Sequence, residues 1–260
     1  MSQYGYWRKR VSEKLGSGKP LLGTWVTMPH PEVVEILSNM AFDWVLIDME
    51  HAPIDIEKAE LLLMAIRNPE LIPLIRPPWN DPVVIKRALD LGVAGVIVPW
   101  VNTKEEAEKA VEAAKYPPTG IRGVGPRRCV MYGFWDSVKY FNEWNQNAIV
   151  IAQLETKKGL ENLEEIISVE GLSGIFVGPS DLSASLGMYG MQNTEEFKEI
   201  LFEIVKRAKP YGKIIGIMAN SPETAREFAE MGYNFISLSH DIRYLVKGAE
   251  LFLSQFMKST

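Results

Sequence analysis

Short runs of apolar, largely β-branched residues alternate along the chain with longer segments in which apolar residues recur at helical spacing. The runs predict strands at residues 20–28, 43–49, 71–77, 93–100, 148–155, 173–178, 213–219 and 234–240. The segments between them predict helices at residues 31–40, 55–68, 81–91, 103–115, 156–168, 195–210 and 222–231, and a last one at 242–257. Eight strands that are each followed by a helix are typical of a (β/α)8 TIM barrel of the α/β class.

A doubly wound open sheet shows the same alternation and is the alternative fold. The barrel is favoured because eight units fill the 260 residues with little left over, so we expect one barrel domain over residues 1–260. The irregular connection is 117–147, which is rich in glycine and proline. Connections this long inside a domain are usually functional or mobile. Residues 137–147 could form a short helix within it.

The composition narrows the class of protein. Hydrophobic residues make up 47% and charged residues 23% of the chain, as in ordinary globular proteins. A net charge of −5 gives no electrostatic reason to expect nucleic acid or an acidic membrane as partner. No apolar stretch approaches the roughly 20 residues that span a bilayer. The single cysteine, Cys129, fits a reducing compartment, so we expect a cytoplasmic protein in which this thiol is structural.

Charged residues end several of the predicted strands. The run Asp48-Met-Glu-His51 follows the second strand, Arg76 ends the third, Glu155 ends the fifth and Asp181 follows the sixth. The carboxyl ends of barrel strands meet at one rim, where the active sites of such barrels lie. We therefore expect these side chains to share one site.

Glu155 and Asp181 are the candidate metal ligands. Two carboxylates from neighbouring strand ends, with coordination positions left open, suit Mg²⁺ or Mn²⁺. Alternatively, both are solvated acids at helix starts. In the turn that begins at Gly178, the backbone N–H groups of Ser180 and Asp181 could bind a carboxylate or phosphate, or the turn could simply cap a helix.

His51 is the candidate general base, because histidine changes its charge near neutral pH. A structural histidine is the alternative, and His30 and His240 also lie near strand ends. Arg76 could stabilise a developing oxyanion or form a salt bridge across the rim. Asp90 falls in the last turn of its helix, where the dipole disfavours a carboxylate, which indicates a specific partner.

Seven segments in order resemble the HpcH/HpaI aldolase family, the metal-dependent class II pyruvate aldolases, across roughly residues 20–245. The matching segments are Gly23-Thr-Trp25, Phe42-Asp-Trp-Val-Leu-Ile-Asp-Met-Glu-His-Ala-Pro53, Ile75-Arg-Pro-Pro78, Ile85-Lys-Arg-Ala-Leu-Asp-Leu-Gly92, Tyr116-Pro-Pro-Thr-Gly-Ile-Arg-Gly-Val-Gly125, Gln153-Leu-Glu155 and Val177-Gly-Pro-Ser-Asp-Leu-Ser-Ala-Ser-Leu-Gly187. The resemblance implies a barrel of the phosphoenolpyruvate/pyruvate type. It also implies a homo-oligomer, commonly a hexamer, whose last helix packs on or is swapped with a neighbouring subunit.

The resemblance also implies roles for single residues. Those roles are His51 as proton acceptor, Arg76 as stabiliser of the enolate-like transition state, Asp90 as the acid that raises the basicity of the histidine, Glu155 and Asp181 as metal ligands, and Trp25, Gln153, Gly178, Ser180 and Asp181 as substrate contacts. The end of a barrel helix should face the rim opposite His51, so Asp90 must come from an irregular helix or a neighbouring subunit. Asp48 is the alternative within the strand.

The function that follows is reversible aldol cleavage of a 4-hydroxy-2-oxo acid to pyruvate and an aldehyde. A divalent cation, Mg²⁺ or Mn²⁺ with Co²⁺ as a third candidate, would act as the Lewis acid. Another enolate-forming lyase of the same barrel group, citrate-lyase-like or decarboxylating, is one alternative, and a non-catalytic barrel that binds oxo acids is the other. Arg127 and Arg128 in a short loop, and Met49 where several relatives have glycine, leave the aldehyde open.

Overall fold

Eight parallel strands follow one another in chain order around a closed barrel, with the last paired to the first, in a computed structural model that describes residues 3–258. The fold is therefore a (β/α)8 barrel, and closure excludes the open sheet. The strands are β1 Leu21–Val26, β2 Trp44–Asp48, β3 Ile72–Arg76, β4 Gly95–Val98, β5 Ile149–Leu154, β6 Gly174–Val177, β7 Ile214–Ala219 and β8 Phe235–His240. Each lies within a predicted range, because runs buried on both faces are apolar almost without interruption.

Helices cover the outside of the barrel. They are α1 Gln3–Gly16, α2 Pro31–Ser38, α3 Ile56–Met64, α4 Pro82–Asp90, α5 Lys104–Ala114, α6 Ser137–Asn147, α7 Lys157–Glu161, α8 Leu163–Ser168, α9 Pro179–Ser185, α10 Glu195–Ala208, α11 Pro222–Met231 and α12 Asp241–Lys258. Six of the eight predicted barrel helices form as single helices at or inside their expected ranges, and α12 begins one residue early. The short helix expected within residues 117–147 is α6, and Arg128–Gly133 adds a 3-10 helix there.

Three helical features differ from the sequence prediction. The single helix expected at 156–168 is divided into α7 and α8 at Asn162, whose side-chain amide donates instead to the Asn102 carbonyl. The turn after β6 continues into the short helix α9 before α10 begins. The helix α1 was not predicted, and it packs Trp7 and Val11 into the core.

Aromatic rings fill the barrel interior below the carboxyl-terminal rim. The ring of Trp44 stacks on Phe235 with centroids 4.3 Å apart and meets Phe176 edge-on at 6.3 Å. Gly23 makes room for this cluster, since a Cβ there would lie 1.9 Å from the Trp44 ring. Phe176 in turn meets Trp25 at 5.7 Å, and this pair forms the apolar floor of the cavity above. Large and small side chains on facing strands thus give the site a rigid base.

The last helix, α12, leaves most of its apolar residues in solvent. Within α12 only Asp241 is buried, whereas Phe252 is 76% and Phe256 is 68% exposed. An exposed apolar face of this kind usually marks a contact with another molecule. Within residues 3–258, no helix is both long enough and apolar enough to cross a membrane.

Candidate active site

The buried pair Asp48 and Arg76 forms the centre of the carboxyl-terminal rim. The two residues are register partners on β2 and β3, and Arg76 donates from Nε to Asp48 Oδ1 at 2.9 Å and from Nη2 to Oδ2 at 2.7 Å. Asp48 Oδ1 also accepts the backbone N–H groups of Glu50 at 3.0 Å and His51 at 3.4 Å. This carboxylate therefore holds both the arginine and the turn that carries the histidine.

The remaining nitrogen of Arg76 faces the cavity. Nη1 lies 2.9 Å from Glu50 Oε2 and 3.4 Å from Gln153 Oε1. The guanidinium plane lies over the ring of Trp25, 4.2 Å from its centroid, an arrangement that holds the plane in place. Asp48 thus fixes one edge of the guanidinium, while Nη1 points toward Glu50 and Gln153 at the cavity wall.

Glu155 is buried beside this arginine and is held from two sides. Its Oε1 accepts the backbone N–H of Trp100 at 2.7 Å, and its Oε2 accepts from Gln153 Nε2 at 2.6 Å. Trp100 reaches this position with a left-handed backbone, φ 56°. The pKa of Glu155 is raised to about 7, mainly by burial and also by the carboxylates of Glu50 and Asp181, while the backbone hydrogen bond from Trp100 and the charge of Arg76 oppose the rise.

Glu50 is a third carboxylate at this centre, and sequence reasoning did not give it a role. Burial raises its pKa, the charges of Arg76 and His51 oppose that rise, and those of Asp48 and Asp181 add to it. The sequence feature that could have indicated a role for Glu50 is its spacing, since it lies two residues after Asp48 at the end of the same strand. That signal is weak because the chain has already left regular strand geometry at Met49.

The turn after β6 brings backbone and carboxylate to the same place. Gly178 packs so closely that an added Cβ would lie 3.2 Å from Gln153 Nε2 and 3.3 Å from Glu155 Oε2. Asp181 is exposed in the first turn of α9 and lines the cavity with Ser180. The N-cap of α9 is Gly178, so the alternative in which Ser180 or Asp181 caps the helix is not met.

His51 stands at the cavity edge with 64% of its side chain exposed, and its Nε2 is 3.9 Å from Glu50 Oε2. The cavity has a volume of about 400 Å³. Its walls include the following predicted site residues: Trp25, His51, Arg76, Gln153, Gly178, Ser180 and Asp181. Seven residues from five strand ends are thus brought together, as the sequence predicted.

Asp90 is the predicted residue that one chain does not bring to this centre. It ends α4 and accepts a hydrogen bond from Arg122 Nη2 at 2.7 Å. Arg122 is fully buried, with its guanidinium 4.5 Å from the ring centroid of Tyr116 and 4.8 Å from that of Trp144. Asp90 lines a different cavity with Glu57. Within the chain, Glu50 is the acid near the His51 imidazole, at 3.9 Å, and Asp48 accepts a hydrogen bond from the His51 backbone.

The carboxylates fit a divalent cation by their charge and placement. The charge of Asp181 raises the pKa of both Glu50 and Glu155, the charge of Glu50 also raises that of Glu155, and Arg76 opposes these rises. A bound divalent cation would relieve this repulsion between like charges. Among residues 3–258 no cluster of three or more histidine, cysteine, aspartate or glutamate side chains has metal-binding geometry. A cation here would therefore take few protein ligands and keep positions for substrate or water oxygens.

Comparison with known proteins identifies a family that the chain matches. The family model for HpcH/HpaI aldolase/citrate lyase matches residues 21–247. A curated relative, 5-keto-4-deoxy-D-glucarate aldolase from Escherichia coli O139:H28 (strain E24377A / ETEC), is 38% identical over 238 residues. That alignment covers 91% of this chain and 92% of the relative.

Solved structures give the same picture. An HpcH/HpaI aldolase/citrate lyase family protein from Burkholderia cenocepacia J2315 superposes with a TM-score of 0.90 at 31% identity, covering 95% of this chain and 99% of the other. An HpcH/HpaI aldolase from Desulfitobacterium hafniense DCB-2 superposes with a TM-score of 0.86 at 27% identity, covering 94% and 95%. Both match almost the full length of the barrel.

Proposed function

The chain belongs to the HpcH/HpaI aldolase/citrate lyase family, and from this premise we propose that it catalyses the reversible aldol cleavage of a 4-hydroxy-2-oxo acid to pyruvate and an aldehyde. The observation that carries the proposal is the cavity that Arg76 lines with Asp181 and the turn at Gly178, against which Glu155 packs. Such a site offers a cationic hydrogen-bond donor and carboxylates that could hold a metal. Both can stabilise the negative charge of an enolate.

The pyruvate half of the substrate would lie along β5 and β6. Glu155 and Asp181 would hold Mg²⁺, Mn²⁺ or Co²⁺, which when bound supplies the Lewis acid for the 2-oxo acid end. The backbone at Ser180 and Asp181 would receive the carboxylate. Gln153 fixes the direction of Glu155 through its hydrogen bond at 2.6 Å. Gly178 keeps this corner open because a side chain there would fill it.

The bond that breaks lies between C3 and C4. His51 would take the proton of the 4-hydroxyl, whose electrons then form the aldehyde carbonyl. The electrons of the C3–C4 bond pass into the enolate of pyruvate, where Arg76 Nη1 faces the growing negative charge on the 2-oxo oxygen. Proton return to C3 completes pyruvate. Asp48 positions both residues, since it binds the Arg76 guanidinium and the backbone of His51.

We also propose that the active unit is an oligomer, and a hexamer is the form the family resemblance implies. The exposed apolar face of α12 supports this, because Phe252 and Phe256 would gain a partner when the helix packs on or is swapped with a neighbouring subunit. Asp90 would then reach a histidine of the adjacent subunit. Its carboxylate is already held in one direction by the buried Arg122.

A screen of aldehydes with pyruvate, run separately with Mg²⁺, Mn²⁺ and Co²⁺, tests the proposed reaction. The expected result is metal-dependent formation of a 4-hydroxy-2-oxo acid. The exchange of the pyruvate methyl protons with deuterated water, followed by NMR, reports the enolate step without any aldehyde. A protein that shows neither reaction with any of the three metals is not a pyruvate aldolase. Decarboxylation of oxaloacetate without aldol product would favour the related lyase instead.

A further inference from the structure

A bulge at the end of β8 turns a histidine into the cavity. Between Gly23 and Trp25 the β1 strand advances two residues, whereas its partner β8 advances three, from Ser237 to His240. Ser239 takes a left-handed backbone, φ 62°, which is uncommon for serine. Because successive side chains in a strand point to opposite faces, the extra residue places His240, in place of Ser239, beside Trp25 on the inner face.

His240 has unused hydrogen-bonding capacity. Its side chain is 31% exposed and lines the cavity, and its Nδ1 is buried with no hydrogen-bond partner within residues 3–258. The nearest acid, Asp241 Oδ1, is 4.0 Å away. That carboxylate already accepts from the Thr27 hydroxyl at 2.5 Å and from the backbone N–H groups of Thr27, Met28 and Ile242 at 2.7 to 2.8 Å. Asp241 therefore holds the backbone of Thr27 and Met28, and His240 Nδ1 is left without a hydrogen bond within residues 3–258.

A second unpaired group lies beside it. Trp25 Nε1 is buried and has no hydrogen-bond partner in the described part of the chain, and Trp25 is the register partner of His240. A buried polar atom without a hydrogen-bond partner costs free energy, so such an atom usually pairs with a ligand or an ordered water molecule. Because Trp25 is only 3% exposed, a ligand in the cavity meets the exposed part of the His240 side chain, and an imidazole can accept from or donate to a hydroxyl group.

The position of His240 in the cavity indicates which half of the substrate this residue would meet. The proposed pyruvate half occupies β3, β5 and β6, and His51 must reach the 4-hydroxyl. The wall left for the rest of the molecule consists of Trp25, Thr27, Met218, His240 and Ile242. The Thr27 hydroxyl is already committed to Asp241. On this otherwise apolar wall, His240 is the partly exposed polar side chain that can fix a ligand's orientation.

We propose that the exposed part of the His240 imidazole binds a hydroxyl group on the aldehyde half and so selects hydroxylated aldehydes over plain aliphatic ones. The inference rests on the proposed aldolase function. A neutral hydroxyl suits the site better than a further carboxylate, because the centre already gathers Asp48, Glu50, Glu155 and Asp181 around Arg76. His240 is thus a specificity-determining residue at the end of the cavity away from the metal ligands.

The test compares glycolaldehyde with acetaldehyde, which differ by one hydroxyl group, as acceptors for pyruvate. We expect the wild-type protein to prefer glycolaldehyde in kcat/KM by roughly 5- to 100-fold, the range for a buried polar group left unpaired. His240→Leu should abolish most of this preference, and His240→Asn, which keeps a hydrogen-bonding group, should retain part of it. His30→Ala, at an exposed histidine outside the cavity, is the matched control and should keep the wild-type ratio.

Two outcomes would overturn the inference. One is a wild-type protein that condenses both aldehydes with equal kcat/KM. The other is a ratio that His240→Leu leaves unchanged, or that His30→Ala lowers equally. Exchange of the pyruvate methyl protons by the wild-type protein distinguishes this failure from failure of the aldolase assignment. Exchange with no aldehyde preference contradicts only the role of His240, whereas the absence of both exchange and aldol product contradicts the proposed function as well.

Discussion

Arg76 and Asp48 face each other on neighbouring strands through two parallel hydrogen bonds, Nε to Oδ1 at 2.9 Å and Nη2 to Oδ2 at 2.7 Å. The pairing uses one edge of the guanidinium and leaves Nη1 toward Glu50 and Gln153. A flexible lysine ammonium cannot reproduce this division between a fixed edge and a free edge. The pair therefore fixes the orientation of the guanidinium and, with it, the position of Nη1.

Arg76→Lys tests this division of labour. The ammonium keeps the positive charge but loses the planar fork, so the interaction with the enolate oxygen is lost mainly in the transition state. We expect kcat to fall by roughly 10²- to 10³-fold, the usual effect of removing one oxyanion donor, with a smaller change in KM. Exchange of the pyruvate methyl protons, measured by NMR, should fall in parallel.

Arg207→Lys is a matched control for that experiment. Arg207 also makes two hydrogen bonds to one carboxylate, that of Glu164, but it lies on α10, outside the residues that line the cavity. This variant should change the melting temperature slightly and leave kcat and exchange near wild type. If Arg76→Lys lowers only the melting temperature and keeps normal exchange, Arg76 is a rim salt bridge and has no part in the chemistry.

Removal of the metal should abolish aldol cleavage. Because Glu155 and Asp181 are the proposed protein ligands, EDTA should strip the site, and Mg²⁺ or Mn²⁺ should restore activity. Glu155→Gln and Asp181→Asn should each weaken Mn²⁺ binding measured by electron paramagnetic resonance, whereas Asp136→Asn, at the start of α6, should not. Full turnover after chelation, with metal absence confirmed by elemental analysis, would contradict this. A covalent adduct trapped by borohydride with pyruvate would indicate a lysine Schiff base instead.

His51→Ala should slow turnover by roughly 10²- to 10⁴-fold, the usual contribution of a general acid or base. The affinity for Mn²⁺ should barely change, because His51 is not among the proposed ligands. His30→Ala is the control, since His30 is exposed and lies outside the cavity. Near-normal turnover in His51→Ala, together with unaltered pH dependence, would exclude this residue as the proton acceptor.

The strands and the site were predictable because both depend on local patterns. Each observed strand lies inside its predicted range, since a buried strand is an unbroken apolar run. Arg76 and Glu155 met at one rim because parallel strands align their carboxyl ends. The helix α1 was not predicted because its many polar residues obscure the helical spacing of the few buried ones, among them Trp7 and Val11.

Other features depend on contacts that are distant in sequence. The division between α7 and α8 follows from a hydrogen bond between Asn162 and Asn102. The bulge that turns His240 inward depends on register with β1, which no local pattern contains. Glu50 was overlooked because its neighbours Arg76 and Asp181 come from other strand ends. Asp90 has its partner, Arg122, 32 residues further along the chain.

Subunit complementation tests the proposed role of Asp90. His51→Ala and Asp90→Asn should each be strongly impaired alone. When the two variants are co-expressed, mixed oligomers should regain part of the wild-type rate, because some sites combine an intact His51 with an intact Asp90 from the neighbour. Steady-state kinetics on oligomers purified through two different tags measures the recovery.

The control for complementation is Phe252→Glu, which places a charge on the exposed face of α12. We expect this change to lower the molar mass measured by light scattering and to prevent recovery when it is present in both chains. If the mixed oligomers stay as inactive as the single variants, Asp90 does not act across an interface. The acids within the chain that could serve His51 are then Asp48, which binds its backbone, and Glu50, 3.9 Å from its Nε2.

The metal-free protein should lose stability as the pH rises from about 5 to 7.5. Burial raises the pKa of Glu155 from 4.5 to about 7, so between these values the folded state holds a proton that the unfolded state has released. The stabilisation is complete below pH 4.5 and is lost as the pH passes the folded value. A shift of this size corresponds to about 3 kcal/mol of unfolding free energy. Thermal unfolding in EDTA across this range should show the fall, and Glu155→Gln should flatten it.

The slope left in Glu155→Gln should be small and of the same sign, because burial also raises the pKa of Glu50. Saturating Mg²⁺ should remove or reverse the slope, since the cation favours the ionised carboxylates and binds only the folded state. Glu164→Gln is the control of opposite sign, because hydrogen bonding to Arg207 lowers the pKa of Glu164 and its loss affects stability at a lower pH. Rising stability between pH 5 and 7.5 in metal-free wild type would show that Glu155 is ionised throughout. The carboxylates would then be compensated by Arg76 alone, and the charge-based reason for a cation at this site would fail.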